Sequence, residues 1–357
     1  MADLSVDLCG APLSNPLVLA SGPLGWCASS ISAAFDAGFG AVVTKTIRRD
    51  VAVNPMPHIH SLGRGSLLNC EGWSDLPAEC WIEQELPSLA RRARGVLIAS
   101  TGHTPAEVVE LAGPLAAAGA DLLELVSYRA EDVAPMVDAA RSVASVPILV
   151  KVNAHWPDLI DVVGAALSAG ASGVTAIDSI GPALAIDVET GCPALHSLGW
   201  LSGEGIRPVA VAAVARIALS YGVPIVATGG VARAEDVIEM TMAGATAVGV
   251  HTAPLLRGVD WVGRVLARLD VWLDSHQWNT LAAVKGAALP CLGEAPATRL
   301  SFSYDADRCT RCRSCVTCCA YGARTLSPSG GMAVCEALCR FCGLCTSVCP
   351  TGALTLA

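Results

Sequence analysis

One unit recurs eight times between residues 17 and 251, and it limits the possible folds more than any other feature of the chain. Each copy is a short apolar run, most often followed by an Ala-rich amphipathic segment that ends on Gly. The runs span residues 17–20, 41–45, 96–100, 122–126, 148–152, 173–177, 225–228 and 247–251. The segments between them have helical period and length, as in 104–118, 158–169, 208–221 and 234–243. Gly119, Gly170, Gly222 and Gly244 stand where a helix needs a left-handed terminal residue. Eight strand–helix units in roughly 250 residues match the arithmetic of an α/β fold closed as a (β/α)8 TIM barrel. A doubly wound open sheet, the alternative, has fewer parallel strands. In a barrel, function gathers at the C-terminal ends of the strands. The residues there that can meet a ligand are Ser21, Lys45, Ser100, Ser127, Lys151, Asn153, Asp178, Ser179, Gly229, Gly230 and Thr252.

The length, 357 residues, leaves room for two or three domains. Hydrophobic residues make up 53% and charged residues 15%, with aromatics at only 4%, so the apolarity is aliphatic. That composition suits a buried α/β core and excludes disorder. The richest apolar stretch, 208–231, is broken by Arg216 and Tyr221, so no run reaches the ~18 residues of a spanning helix. The first seven residues hold Asp3 and Asp7 and no basic group, which points to a cytoplasmic protein without a secretory signal. A formal net charge of −9 argues against nucleic acid, whose phosphates demand a basic face.

Sixteen cysteines, in a chain read as cytoplasmic, are metal ligands rather than disulfide partners. Ten of them fall between Cys309 and Cys349. Residues 1–285 therefore read as the barrel, and 286–300, with two Pro and two Gly, as a linker. Residues 301–357 form a small module, too short for a large core, whose stability leans on bound metal. Within it, Cys309-x2-Cys312-x2-Cys315-x3-Cys319 is followed by Cys339-x2-Cys342-x2-Cys345-x3-Cys349-Pro350. The doubled run is the signature of a ferredoxin-like domain with two 4Fe-4S clusters, in which the fourth cysteine of each run ligates the other cluster. Cys309, Cys312, Cys315 and Cys349 would then hold one cluster, and Cys339, Cys342, Cys345 and Cys319 the second. Structural zinc, the alternative, generally uses two C-x2-C pairs. Cys318 offers a competing thiol beside Cys319, and Ala320 follows where Pro is usual. Cubane clusters pass single electrons and do no acid–base chemistry.

A barrel coupled to one-electron carriers needs a group that converts between one- and two-electron steps, which flavin does and nicotinamide does not. Thr228-Gly229-Gly230 after the seventh run and Gly249-Val250-His251-Thr252 after the eighth could cradle a flavin phosphate with backbone N–H groups. Lys45 and Lys151 end apolar strands, where an unpaired lysine is costly, and so point to an anionic ligand. Each alone could also be a rim lysine whose head reaches water. No G-x-G-x-x-G follows a strand, so the chain shows no dinucleotide-binding domain.

These residues carry a resemblance. The markers are Asn15 to Ser21, Val43-Thr44-Lys45-Thr46, Leu68-Asn69-Cys70-Glu71, Leu123-Glu124-Leu125, Val150-Lys151, Gly173 to Ala176, Ser202-Gly203, Ile206-Arg207-Pro208 and Ala227 to Gly230, with the cysteine module last. The chain resembles the FMN barrel plus ferredoxin part of the dihydropyrimidine dehydrogenases and, more broadly, the class 1 dihydroorotate dehydrogenases. The resemblance implies FMN contacts at Ala20, Ser21, Lys45, Thr46, Asn69, Lys151, Gly203, Gly229, Gly230 and Thr252. It also implies hydride exchange with a CH–CH bond of a small polar, pyrimidine-like substrate. Electrons would reach an external carrier, such as a NAD(P)H/FAD flavoprotein subunit or a ferredoxin. A homodimer is implied on the same ground alone.

The chain departs from the family where substrate binds. Val126 stands where the family has Asn, the loop that follows is shortened and holds no cysteine, and Asp178-Ser179 replaces an Asn-Thr pair. Valine cannot meet an amide, and an unpaired buried amide costs about 1–3 kcal/mol. Asn69, Glu71, Asp178 and Ser179 remain as candidate substrate contacts. Reduction of an activated C=C bond also needs a proton donor. Tyr128, Asp178 and His155 stand near strand ends, and Cys192 lies in the loop 186–201. The reading is an FMN and iron–sulfur oxidoreductase acting on a CH–CH bond. Its rivals are a dihydroorotate dehydrogenase-like enzyme with a changed substrate, an electron-transfer subunit without substrate chemistry, and a redox sensor.

Overall fold

Side chains on eight short strands alternate between two apolar clusters, and that alternation builds the barrel. The strands are β1 (Leu17–Leu19), β2 (Ala41–Val43), β3 (Val96–Gly102), β4 (Leu122–Val126), β5 (Ile148–Val152), β6 (Gly173–Ala176), β7 (Ile225–Thr228) and β8 (Ala247–Val250). Val18, Ala41, Val43, Val96, Ile98, Leu122, Leu149, Val226 and Ala247 share one cluster, which faces the axis. Their neighbours, such as Leu17, Val42, Leu97, Leu123, Val150 and Val248, join the other cluster with helix residues such as Val108, Val137 and Val214. Both strand faces are covered, which is why the runs read as continuously apolar. Full burial of each such Val or Leu contributes roughly 1.5–3 kcal/mol. In this computed structural model, which describes residues 2–90, 95–293, 301–329 and 331–356, the strands form a closed parallel barrel. Each strand pairs with the next in the chain, and β8 pairs with β1.

The barrel axis changes character along its length. A hairpin of Val6–Leu8 and Ala11–Leu13 adds Leu8 and Leu13 to the axial cluster beside the early strand residues. Two residues beyond that apolar layer, the same strand face carries Lys45, Ser100, Glu124, Lys151 and Thr228. The period-2 pattern thus aims polar groups at the C-terminal mouth. Two insertions pair with each other there as a four-stranded antiparallel sheet. Ile59–Gly63 and Ser66–Asn69 come from the connection after β2, and Ile180–Ala183 and Gly199–Gly203 from the one after β6.

Helices occupy the expected segments, including Pro105–Ala117, Leu159–Ser168, Arg207–Ser220 and Ala234–Met242. Thr104 Oγ1 accepts the Glu107 N–H at 3.3 Å and caps the first of these. Gly119, Gly170 and Gly244 adopt positive φ after their helices. Gly222 does not take the expected left-handed role, because the helix before it already ends at an extended Tyr221. Among the described residues no helix is long and apolar enough to cross a membrane.

The chain divides into Met1–Pro290 and Cys291–Ala357. That division falls inside the segment 286–300 expected as a linker, with 286–290 in the first unit. The Gly286 and Ala288 N–H groups donate to the Thr241 and Met242 carbonyls at 2.9 and 3.1 Å, capping the end of the helix Ala234–Met242. Residues 294–300 of that segment lie outside the described residues. In the second unit Phe302–Tyr304 pairs with Leu354–Leu356, and Arg324–Leu326 with Met332–Val334. Short helices Ser314–Thr317 and Leu344–Ser347 each carry the third cysteine of a run, giving two similar halves.

Candidate active site

A cavity of about 180 Å³ opens at the C-terminal end of the barrel. All ten residues proposed for FMN line it: Ala20 and Ser21 after β1, Lys45 and Thr46 after β2, Asn69, Lys151 on β5, Gly203, Gly229 and Gly230 after β7, and Thr252 after β8. Glu71, Tyr128, Asp178 and Ser179 line it as well. Cys192, the candidate acid of the loop 186–201, does not line it. It sits exposed in the 185–194 turn, where its thiol contacts the Thr190 carbonyl at 3.8 Å. Ser100, Ser127 and Asn153 are buried framework rather than lining. Ser100 Oγ meets Thr46 Oγ1 at 3.1 Å, and Ser127 Oγ donates to the His103 carbonyl at 3.2 Å.

The two lysines are not the unpaired charges the sequence suggested. Lys45 Nζ lies 2.5 Å from Glu71 Oε1, and Lys151 Nζ 3.2 Å from Asp178 Oδ1. Burial pulls the Lys151 ammonium down, but Asp178 and Glu124 outweigh it and hold it above the ordinary lysine range. Glu124, sealed inside β4, accepts the Thr175 hydroxyl at 2.9 Å and is pushed up by burial. Glu71 and Asp178 are thereby committed to lysines while still facing the cavity. The Asn69 amide donates to the Trp200 carbonyl at 3.3 Å, and the Ser179 N–H to Asp178 Oδ1 at 2.8 Å.

The paired glycines serve the protein first. Gly229 and Gly230 have φ of 131° and 80°. A Cβ on Gly229 would come 2.8 Å from Ala210 Cβ, and one on Gly230 2.5 Å from Arg207 Cβ. Glycine is thus required for β7 to turn tightly against the helix Arg207–Ser220, and the backbone it bares to the cavity follows from that packing. Beside this turn Thr228 Oγ1 is buried with no hydrogen-bond partner. The exposed backbone, the orphaned hydroxyl and the Ser21–Thr46–Ser100 hydroxyl row suit a long, polar group such as FMN, whose phosphate backbone N–H groups of the glycine turn could meet.

The sequence reading missed the aromatic wall. His103 lines the cavity at the end of β3, 4.0 Å between ring centroids from Trp73 and 5.1 Å from Tyr128. Tyr128 stacks on Trp200 at 4.8 Å, and the Arg48 guanidinium covers Trp73 at 4.5 Å while held by Glu107. Burial and the nearby Asp178 carboxylate push the Tyr128 phenol up to about 12. Burial, helped by Arg48, pushes His103 down to about 4. The available signal was strand length: the third run continues through Thr101 and Gly102, which puts His103 at its C-terminal end. His251, pushed down to about 4 by burial, donates from Nδ1 to the Ala20 carbonyl at 2.7 Å and ties β8 to β1. His155 is exposed, 6.3 Å from the Trp200 ring.

In the second unit, Cys309, Cys312, Cys315 and Cys349 line one small cavity. Cys319, Cys339, Cys342 and Cys345 line another, with Cys318 beside them. No group of three or more His, Cys, Asp or Glu among the described residues could hold a single metal ion. Four or more thiols lining one small cavity match the all-thiolate ligand set of a 4Fe-4S cluster. Cys335 is exposed and lines neither cavity.

Residues 3–273 match the dihydroorotate dehydrogenase family, and residues 336–355 match the 4Fe-4S binding domain. The chain belongs to the dihydroorotate dehydrogenase family. Three similar proteins are each named dihydroorotate dehydrogenase B (NAD(+)), catalytic subunit. The one from Methanosarcina mazei is 36% identical over 302 residues, covering 80% of this chain and 95% of the relative. Those from Pyrococcus abyssi and Methanothermobacter thermautotrophicus are 30% and 29% identical, again over 80% of this chain and 99% and 98% of their own length. The family makes this an FMN-dependent oxidoreductase acting on a CH–CH bond, carrying in addition a 4Fe-4S domain.

Proposed function

We propose that the enzyme oxidises or reduces a CH–CH bond in a small polar substrate and exchanges the electrons with an external carrier through two 4Fe-4S clusters. The observation that carries the reading is the grouping of the cysteine-module thiols around two small cavities, four at one and five at the other, together with a barrel cavity lined by all ten residues assigned to FMN. FMN, when bound, supplies hydride exchange with the substrate and one-electron exchange with the clusters. The chain's own residues do the rest. Lys45 and Lys151, fixed by Glu71 and Asp178, would offer ammonium N–H donors to a flavin bound in the cavity they line. Tyr128 is the candidate proton donor: its phenol lines the cavity and keeps its proton at any working pH. Trp73 and Trp200 pack against its ring, at 5.9 and 4.8 Å between centroids.

Within this class we favour a dihydropyrimidine dehydrogenase-like electron route, with a NAD(P)H/FAD flavoprotein subunit or a ferredoxin as the partner. The relatives' designation as catalytic subunits is compatible with such a partner. Dihydroorotate, named in those relatives, is the rival substrate. The many free thiols favour a reducing, cytoplasmic setting. Anaerobic titration of the purified chain with dihydrouracil and then dihydroorotate tests the reading. Flavin bleaching followed by cluster reduction is expected with a true substrate. If neither compound changes the flavin spectrum, the pyrimidine version fails. If Tyr128→Phe and Asp178→Asn leave a measured turnover intact, the assigned machinery fails with it.

A further inference from the structure

The two halves of the cysteine module repeat each other thirty residues apart. Cys309, Cys312, Cys315 and Cys319 recur as Cys339, Cys342, Cys345 and Cys349, and the strands Phe302–Tyr304 and Arg324–Leu326 recur as Met332–Val334 and Leu354–Leu356. Backbone donors to the thiols recur with them. The Arg311 N–H donates to Cys309 Sγ at 3.4 Å, and the matching Phe341 N–H to Cys339 Sγ at 3.4 Å. Backbone N–H groups of Tyr321, Ala323 and Arg324 act on the Cys319 thiol, and those of the matching Thr351, Ala353 and Leu354 on Cys349. With the backbone matched in this way, the two thiol cavities differ through their side chains.

One matched position is buried in both halves and charged in only one. Leu354, 3% exposed, lines the cavity of Cys309, Cys312, Cys315 and Cys349, whereas Arg324, 4% exposed, lines that of Cys319, Cys339, Cys342 and Cys345. None of the ion pairs among the described residues includes Arg324. Its Nη1 is buried without a hydrogen-bond partner, and its guanidinium lies 4.5 Å from the centre of the Phe302 ring, which has no formal charge. A buried cation with no anion beside it is costly. A 4Fe-4S cluster in the cavity would be that anion, because its four thiolates outweigh the charge of the cubane core. The other arginines at these cavities, Arg313 at the first and Arg340 at the second, are exposed, so water and salt screen them.

Resting on the two-cluster reading of the module, we propose that Arg324 makes the cluster held by Cys319, Cys339, Cys342 and Cys345 the more easily reduced of the two, so that the first electron entering the module settles there. Adding one electron makes a cluster more negative by one charge, with no bond made or broken, and a buried positive charge nearby favours that state. The effect acts through space and needs no contact with iron or sulfide. Arg324 also acts on Cys315, a thiol of the first cavity, which Arg324 does not line, so the first cluster gains less. Reduced flavin would supply the electron in turnover, and dithionite supplies it in the test. An external carrier then meets an uneven pair of electron stores rather than two equal ones.

The test is an anaerobic redox titration of the full chain with dithionite, followed by electron paramagnetic resonance, after its iron has been counted. Single-cluster forms assign the signals: Cys349→Ser keeps the second cluster and Cys339→Ser the first. The second cluster is expected to hold its electron about tenfold more firmly than the first, which is about 59 mV for a one-electron couple. In the two-cluster chain Arg324→Leu, which copies Leu354, should bring the two reduction steps together, while Arg324→Lys, which keeps the charge, should hold most of their separation. Equal potentials in the two single-cluster forms, or a higher one at the first cluster, overturn the proposal, and that comparison stands even if the Arg324 variants do not assemble. An Arg324→Leu chain with full iron and an unchanged separation overturns it as well. A chain that holds about four irons rather than about eight overturns the two-cluster reading itself, a result distinct from an eight-iron chain whose clusters do not differ.

Discussion

Burial strips Lys151 of water, and Asp178 Oδ1, 3.2 Å from its ammonium, replaces part of what is lost. Removing one member of such a pair leaves the other charged and dry. Lys151→Met should therefore destabilise the protein by about 3–5 kcal/mol, measured as loss of stability to denaturant, and should release FMN. The double variant Lys151→Met with Asp178→Asn should lose clearly less, since neither charge is then stranded. The histidines make a second prediction. His103 and His251 both fall from an ordinary 6.5 to about 4 in the folded chain. The unfolded chain therefore binds more protons between these values, and stability is present above pH 6.5 and lost as the pH falls toward 4. Each histidine contributes on the order of 3 kcal/mol at most over that window. Melting temperatures of the unmutated chain should drop between pH 6.5 and 4.5, and His251→Asn should flatten that drop. An unchanged slope in the variant would remove His251 as a cause.

Among the elements, β7 and the helix Arg207–Ser220 constrain each other most closely. Arg207 also bridges to Asp236 at 2.9 Å and Glu239 at 3.0 Å on the next helix, so its backbone has little room to yield. Gly230→Ala adds a Cβ 2.5 Å from Arg207 Cβ at a φ of 80°. We expect a loss of about 1–3 kcal/mol from strain together with weaker flavin retention, read from the ratio of visible to ultraviolet absorbance. The end of the barrel is an element-level matter too. A barrel truncated after Lys285 loses the Gly286 and Ala288 donors to the helix Ala234–Met242 and should melt below one truncated after Pro290. The sequence made 286–300 look like linker because Gly and Pro mark breaks in structure. Gly286 breaks the helix pattern while its backbone N–H still caps a helix.

The whole molecule joins a barrel to an electron carrier, and iron counting tests that assembly directly. The purified chain should hold about eight irons and eight acid-labile sulfides if both cysteine runs build cubanes. Cys349→Ser should disable the cluster held by Cys309, Cys312 and Cys315 in the first half of the module, although Cys349 lies in the second. Electron paramagnetic resonance of the reduced variant would then report one cluster rather than two coupled ones. Retention of both signals would break the crossed assignment. Cys319→Ser should be milder, because Cys318 lines the same cavity and offers a replacement thiol.

Much of this was legible in the chain because the information is local. Alternating residues on a strand face opposite ways, so Leu149 and Lys151, or Val226 and Thr228, announce an apolar axis that turns polar at one end. Cysteine spacing works over a few residues and marks the two thiol runs in the same way. Contacts between distant segments carried no such mark. Lys45 with Glu71 and Lys151 with Asp178 neutralise charges that looked free, while Cys192 lies away from the cavity that its loop seemed able to reach. The aromatic wall draws Trp73, His103, Tyr128 and Trp200 from four separate connections. By itself the sequence determined the repeating unit, the polar strand ends and the thiol runs, since each depends on neighbours along the chain. Only the tertiary structure decided which charges cancel and which polar atom stays unpaired, since burial and pairing are properties of groups brought together by closing the barrel.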